Sequence, residues 1–313
     1  MKNAIIVKNL YRIYSQKKGK FNALKGINFS VKEGEVFGLL GPNGAGKTTT
    51  TKILTTLLKP TSGSVNILGF DIDKHKNEIR KQINFVFGGE KGVYGRLTPV
   101  QYLIYFSCLY KVPSTIRKKL IFELLELVGL DEHKEREIYT FSKGMLQRLH
   151  IARSLINDPK ILFLDEPTIG LDPIIAQEVR DIIQNLKRKG TTIILTTHYM
   201  KEADELCDTI AIINEGQIKA IDSPENLKNN YFLDKIYECT ILLKFENYEI
   251  PQFKFLQITT LDNTLMKFRI AVSKELDYLA VKRKLSEIGE IVSLEQTKTS
   301  LEDVYIKIIK GEI

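Results

Sequence analysis

Cysteine is scarce in this sequence of 313 residues: Cys108, Cys207 and Cys239 stand far apart, with no CxxC pair among them. That excludes a disulfide framework and the common zinc patterns, and it points to a reducing compartment. Long apolar runs are missing as well. The most apolar stretch, Tyr102 to Tyr110, stops at Lys111, well short of the ~20 residues that cross a bilayer as a helix. The opening MKNAIIVKNLYRIY has too short an apolar run to read as a signal peptide. No block of five or six like charges occurs, so the formal net charge of +8 reads first as a solvated basic face.

What is present describes an ordinary folded chain, with 43% hydrophobic and 27% charged residues. The basic excess is uneven. Residues 231–313 hold 12 Lys+Arg against 13 Asp+Glu, which leaves 34 against 25 in the first 230. A basic balance of that kind suits nucleic acid, anionic lipid or a phosphate-rich ligand.

From Ala4 to about Ser223, short apolar runs alternate with longer helical patterns, the signature of an α/β fold around a largely parallel sheet. The clearest strands are 35–40, 161–164 and 192–196. Between them, Thr98 to Leu155 has helical spacing and few strand signals, so a helical subdomain inserted into the sheet domain is expected. Ser223-Pro224 reads as a helix start. Beyond it the pattern changes: Met266, Phe268, Ile270 and Val272 alternate with polar residues, and Asp262-Asn263 can turn a hairpin from the run before it. A helix bearing Tyr278, Val281, Leu285 and Ile288 follows, with Gly289 as its expected stop, and Ser300 with Asp303 opens another. These eighty or so residues read as a small α+β appendix.

The strongest motif is Gly41-Pro42-Asn43-Gly44-Ala45-Gly46-Lys47-Thr48, which matches GxxxxGK[ST] between a strand and a helix opening at Lys47. Glycines let the backbone amides converge, and the helix N-terminus adds its positive dipole end, together making a cradle for β- and γ-phosphates. Lys47 supplies a point charge, Thr49 follows within the same helix start, and the Thr48 hydroxyl is a ligand for Mg²⁺. Ile161 to Leu164 then delivers Asp165 and Glu166 at a strand tip. Asp165 is expected to hold Mg²⁺ and Glu166, pointing elsewhere, to act as general base on the attacking water. His198 ends a third apolar run on the same side of the sheet, where an imidazole can donate to a γ-phosphate oxygen.

With these motifs goes Phe141-Ser142-Lys143-Gly144-Met145-Leu146-Gln147-Arg148, which resembles the signature segment of ABC transporter ATPases, and Pro167 to Pro173, which resembles the loop after their acidic strand. The resemblance covers residues 4 to 225. It implies a P-loop NTPase parallel-sheet core with an inserted helical subdomain and a small C-terminal α+β domain: an ABC ATPase domain at 1–227, its helical subdomain at about 90–155, and an accessory domain at 228–313. It further implies that Tyr14 stacks on adenine, that Asp172 faces a partner subunit, and that Ser142, Lys143, Gly144 and Met145 contact ATP held by that partner. A Ser at a helix start leaves amide donors facing outward, which is the physics such a contact needs.

The departures carry expectations of their own. Family members usually have Gly at the place of Lys143, whose charge is then expected near the partner's phosphate. Gly89 stands where the family places a Gln that couples Mg²⁺ to transport, and neighbouring Glu90 is expected to substitute for it. The function implied is ATP hydrolysis in a head-to-tail dimer, of like or unlike subunits, driving transport, with export favoured over import, through a separate membrane permease. The chain would lie on the cytoplasmic face of the membrane, with no nucleic-acid partner. A soluble ABC ATPase acting on nucleic acid, usually two cassettes in one chain, and a phosphoryl-transferring kinase, which needs an acceptor pocket, are the competing readings.

Overall fold

The runs Val36–Leu40, Ile161–Asp165 and Thr192–Thr197 are buried at every position, a pattern that only strands covered on both faces produce. They lie side by side at the centre of the fold. The computed structural model describes residues 2–16, 19–88, 94–231, 235–243, 254–262, 265–273 and 275–310, which divide into two compact units, Met1–Pro224 and Glu225–Ile313.

In chain order, the first unit contains β1 (Asn3–Gln16), β2 (Gly19–Lys32), β3 (Val36–Leu40), α1 (Lys47–Leu54), β4 (Ser62–Ile67), β5 (Phe70–Asp71), α2 (Lys76–Gln82), β6 (Ile83–Phe87), α3 (Pro99–Leu109), α4 (Ser114–Leu127), α5 (Lys143–Ser154), β7 (Ile161–Asp165), α6 (Pro173–Arg188), β8 (Thr192–Thr197), α7 (Met200–Leu206), β9 (Thr209–Asn214) and β10 (Gln217–Asp222). The central sheet runs β10-β9-β3-β8-β7-β6. It is parallel except for β10, which turns back on β9.

A second sheet, β2-β1-β4-β5, is antiparallel, where the sequence pattern had suggested one largely parallel sheet. The β1–β2 ladder shifts register at Val7/Leu10, Leu10/Tyr11 and Arg12/Ile13. Each shift flips the in–out phase of the side chains, so a clean period of two survives only in short stretches such as Ile27, Phe29 and Val31. The main core lies between the two sheets: Ile5, Leu10, Leu24 and Phe29 meet Phe37, Leu39, Ile161 and Phe163, with Phe29 and Phe37 stacked at 5.1 Å.

Helices α3, α4 and α5 sit between β6 and β7 in the chain and pack on one another. Thr98 starts α3 with a reciprocal cap, its hydroxyl accepting from the Gln101 amide at 3.3 Å while Gln101 Oε1 accepts from the Thr98 amide at 3.0 Å. Among the described residues no helix is long and apolar enough to cross a membrane.

α8 (Pro224–Tyr231) leads into the second unit, which is built from β11 (Lys235–Leu243), β12 (Lys254–Thr260), β13 (Leu265–Val272), α9 (Tyr278–Ser286), β14 (Gly289–Thr297) and α10 (Leu301–Lys310). Its antiparallel sheet has the order β12-β13-β11-β14. One face, Tyr237, Cys239, Ile241, Phe268, Ile270 and Val272, buries Val281 and Leu285 of α9. Gly289 is no helix stop: α9 ends at Ser286, and Gly289 opens β14 opposite Leu243. A Cβ there would lie 2.2 Å from the Leu242 carbonyl oxygen, so glycine is needed for the approach of the strands.

On the sheet's other face Arg269 joins three elements. Its guanidinium donates to Glu238 Oε1 at 2.8 Å and to Asp303 Oδ2 at 2.7 Å. The same Asp303 oxygen accepts from the Ser300 amide at 2.8 Å and from the Ser300 hydroxyl at 2.6 Å, closing the N-terminus of α10. Lys267 and Arg269 beside it hold the Glu238 carboxyl below its ordinary range. Asp303→Ala should therefore release α10 and cost the second unit about 1–3 kcal/mol, read as a lower urea midpoint of the full chain, with Asp303→Asn losing less.

Candidate functional site

Parallel register brings three strand ends to one edge: Leu40 pairs with Thr197, and Asp165 with Thr196. The segments that leave β3, β7 and β8 there carry the phosphate loop, Glu166 and His198. Ligand sites of open α/β sheets form outside the carboxyl ends of strands.

The phosphate loop is held from below. Gly41 donates to the Thr197 carbonyl at 3.4 Å, Ala45 to Pro42 at 3.2 Å, and Gly216, in the turn between β9 and β10, to Ala45 at 3.0 Å. Gly46 caps α1 with φ 112°. A Cβ at Gly46 would stand 2.8 Å from Leu24 and 2.9 Å from the Ala23 carbonyl oxygen, so both conformation and space demand glycine. The first amides of α1, at Lys47, Thr48 and Thr49, follow this curl with no intrahelical acceptor.

Lys47 is 4% exposed. Its ammonium donates to the carbonyls of Gly41 at 2.7 Å and Pro42 at 3.2 Å, and Glu166 Oε1 lies 3.5 Å away. Burial lowers its pKa, and the carboxylates of Glu166 and Asp165 oppose that fall. The Thr48 hydroxyl stands 3.1 Å from Asp165 Oδ2 and 3.4 Å from Oδ1. Asp165 also accepts a hydrogen bond from Thr196, which fixes the carboxylate from the neighbouring strand.

Glu166 leaves β7 with φ 50°, a left-handed conformation that costs a non-glycine residue roughly 1–2 kcal/mol. Its amide donates to the Thr196 carbonyl at 2.9 Å, and Gly88 crowds the peptide, where a Cβ would meet the Asp165 carbonyl oxygen at 2.7 Å. The twist separates the two neighbouring carboxylates: Asp165 faces Thr48, while Glu166 Oε1 faces Lys47 and, at 3.2 Å, His198 Nδ1. The His198 ring lies 4.2 Å from that of Tyr199.

The structure thus brings Lys47, Thr48, Asp165, Glu166 and His198 together. Tyr14 is on β1 opposite Phe21, with the Arg12 guanidinium 4.5 Å over its ring. The signature residues form a separate cluster. Ser142 caps α5, accepting from the Met145 amide at 3.2 Å, and a Cβ at Gly144 would strike Ile175 of α6 at 2.3 Å. Lys143 donates to the Ile169 carbonyl at 2.8 Å, so its charge is held on the loop after β7. Asp172 caps α6, accepting from the amides of Ile174 and Ile175 at 3.2 and 3.1 Å. Among the described residues, no hydrogen bond of Ser142 or Lys143 reaches the phosphate loop. Gly89 and Glu90 lie outside the described residues.

Sequence reasoning passed over Thr196 and Gly88. A signal existed for the first: a threonine pair closing the apolar run Ile193–Leu195 is a polar element in a fully buried strand, which requires partners. Among the described residues no three His, Cys, Asp or Glu side chains converge as a metal cage. The Thr48–Asp165 oxygens suit instead an ion that completes its shell with water and phosphate, the habit of Mg²⁺.

The profile of the ABC transporter family matches residues 24–169. The chain is 40% identical over 207 residues to the ABC transporter ATP-binding protein NatA of Bacillus subtilis, covering 66% of this chain and 84% of that one. It is 44% identical over 206 residues to a fluoroquinolones export ATP-binding protein of Mycobacterium tuberculosis, covering 66% and 67%. Among solved structures, a dimeric post-hydrolysis state of the ATP-binding cassette MJ0796 bound to ADP and Pi superposes with a TM-score of 0.64 at 27% identity, covering 70% of this chain and 98% of that one. The chain belongs to the ABC transporter ATP-binding proteins and is an ATPase.

Removing the ammonium from the cradle removes charge-assisted contacts worth about 1.5–3 kcal/mol. Lys47→Ala should weaken ATP binding by about 10- to 100-fold in a calorimetric titration, and an unchanged affinity would take Lys47 out of the site.

Proposed function

We propose that this ABC transporter ATP-binding subunit hydrolyses ATP between two subunits arranged head to tail and so drives export through a separate membrane permease, from the cytoplasmic face of the membrane. The observation that carries the reading is the meeting of Lys47, Thr48–Asp165, Glu166 and His198 at one sheet edge. Residues 41 to 49 cradle the phosphates, and Tyr14 lies against the adenine. Thr48 and Asp165 hold Mg²⁺, which when bound neutralises charge on the β- and γ-phosphates.

Glu166 acts as general base. Its Oε1 takes a proton from water as the water oxygen bonds to the γ-phosphorus and the bond from that phosphorus to the ADP oxygen breaks. His198 holds the γ-phosphate and orients Glu166 from the other side. The capped N-terminus of α5, with Ser142, Lys143, Gly144 and Met145, offers its amides to the partner's ATP, and the Asp172 loop meets the partner. Residues 1–227 form this ATPase domain, with residues 90–155 as its helical subdomain, and Glu90 serves in coupling for the Gln that Gly89 replaces. Residues 228–313 are accessory. Export is favoured because a relative at 44% identity is named for fluoroquinolones export.

Glu166→Gln is the decisive variant. ATP binding should persist while turnover falls about 10²- to 10⁴-fold, and light scattering in ATP and Mg²⁺ should show a stable dimer. A variant that hydrolyses at the wild-type rate would end the general-base role, and a monomer under all conditions would end the shared site.

A further inference from the structure

Glu202 of α7 is 2% exposed and has no part in the chemistry above. A carboxyl removed so far from water is costly unless a donor meets it, and the donor here comes from the loop after β7. The Thr168 hydroxyl donates to Glu202 Oε1 at 2.8 Å, while Oε2 meets no hydrogen-bond donor among the described residues. Thr168 stands two residues after Glu166, and Glu202 stands four after His198, on the helix into which the His198 segment runs. Burial raises the Glu202 pKa, opposed by neighbouring hydroxyls and by Arg180. Arg180 is itself engaged, with Glu205 Oε2 at 2.9 Å.

Both segments are internally hydrogen-bonded, so an anchor at one residue constrains its neighbours. Ile169 donates to the Glu166 carbonyl at 3.2 Å and Leu171 to that of Thr168 at 3.2 Å, while Thr197 Oγ1 accepts from the Tyr199 amide at 3.0 Å. Glu166 itself is held in a left-handed conformation that no glycine relieves, so the segment beyond it needs an anchor to stay there.

We propose that Glu202 is a positioning residue for ATP hydrolysis: its buried carboxyl clamps the loop bearing Glu166 to the loop bearing His198 and so fixes the spacing of that pair. The role rests on the reading of Glu166 and His198 given above. Its effect falls on turnover far more than on nucleotide binding, because residues 41 to 49 make the phosphate cradle and only His198 of these two loops reaches the γ-phosphate. A misplacement of the base by about 1 Å can cost on the order of 10²-fold in rate, which sets the scale of the effect.

The test measures kcat, the KM for Mg-ATP and the affinity for a non-hydrolysable ATP analogue in the full chain. Glu202→Ala should lower kcat about 30- to 100-fold with KM and affinity within about twofold of wild type. Glu202→Gln keeps the acceptor for Thr168 and should restore most of the rate. Thr168→Val should fall between, and should add little in the Glu202→Ala background, as expected of two residues in one link. A Glu202→Ala rate within about twofold of wild type overturns the proposal, and so does a Gln variant as impaired as the Ala one. Should Glu202→Ala fail to fold, Thr168→Val decides, an unchanged kcat being the overturning result. Glu166→Gln in the same assay separates the two readings. Normal turnover there removes the base itself and both readings with it, whereas a stalled Glu166→Gln beside a fully active Glu202→Ala removes the clamp alone.

Discussion

The parallel register of β3, β8 and β7 is the constraint on which the rest of the first unit depends. Pairing Leu40 with Thr197 and Thr196 with Asp165 means that three segments distant in sequence leave the sheet at one level and on one side. Every strand in this trio is buried throughout. A slip of one residue would exchange the side chains of the two covered faces and mismatch both close-packed layers, so the packing that stabilises the sheet also sets the positions of the chemical groups at its edge. The two threonines that close β8 complete the arrangement: Thr196 holds Asp165, and the Thr197 carbonyl receives the Gly41 amide.

What could be read in the sequence was what physics ties to local spacing. The phosphate loop was legible because enclosing a phosphate requires glycines, a lysine and a hydroxyl at fixed separations on a strand–helix turn. The fully buried strands were legible because so short an apolar run has few other uses. The antiparallel sheet as a whole was not, since its bulges confine the alternation that marks such strands to short stretches. Nor was the fourth strand of the second unit, because Gly289 looks the same whether it ends a helix or lets two strands close.

Side-chain partnerships across the fold were the least legible. Glu202 and Thr168 are 34 residues apart, and nothing in either neighbourhood announces the other. Lys143 is instructive in a different way. A cation at the start of the signature helix reads as charge offered to a phosphate, yet the structure shows it spent on the Ile169 carbonyl, a satisfied backbone contact within its own chain. Asp172 likewise closes α6, a task that its place before a helix-opening proline was sufficient to suggest.

One oxygen, Glu166 Oε1, lies within reach of both Lys47 and His198. That oxygen ties the end of β7 to side chains leaving the ends of β3 and β8. A displacement of either neighbouring segment is therefore felt at Glu166 itself, and the three strand ends report on one another through a single atom.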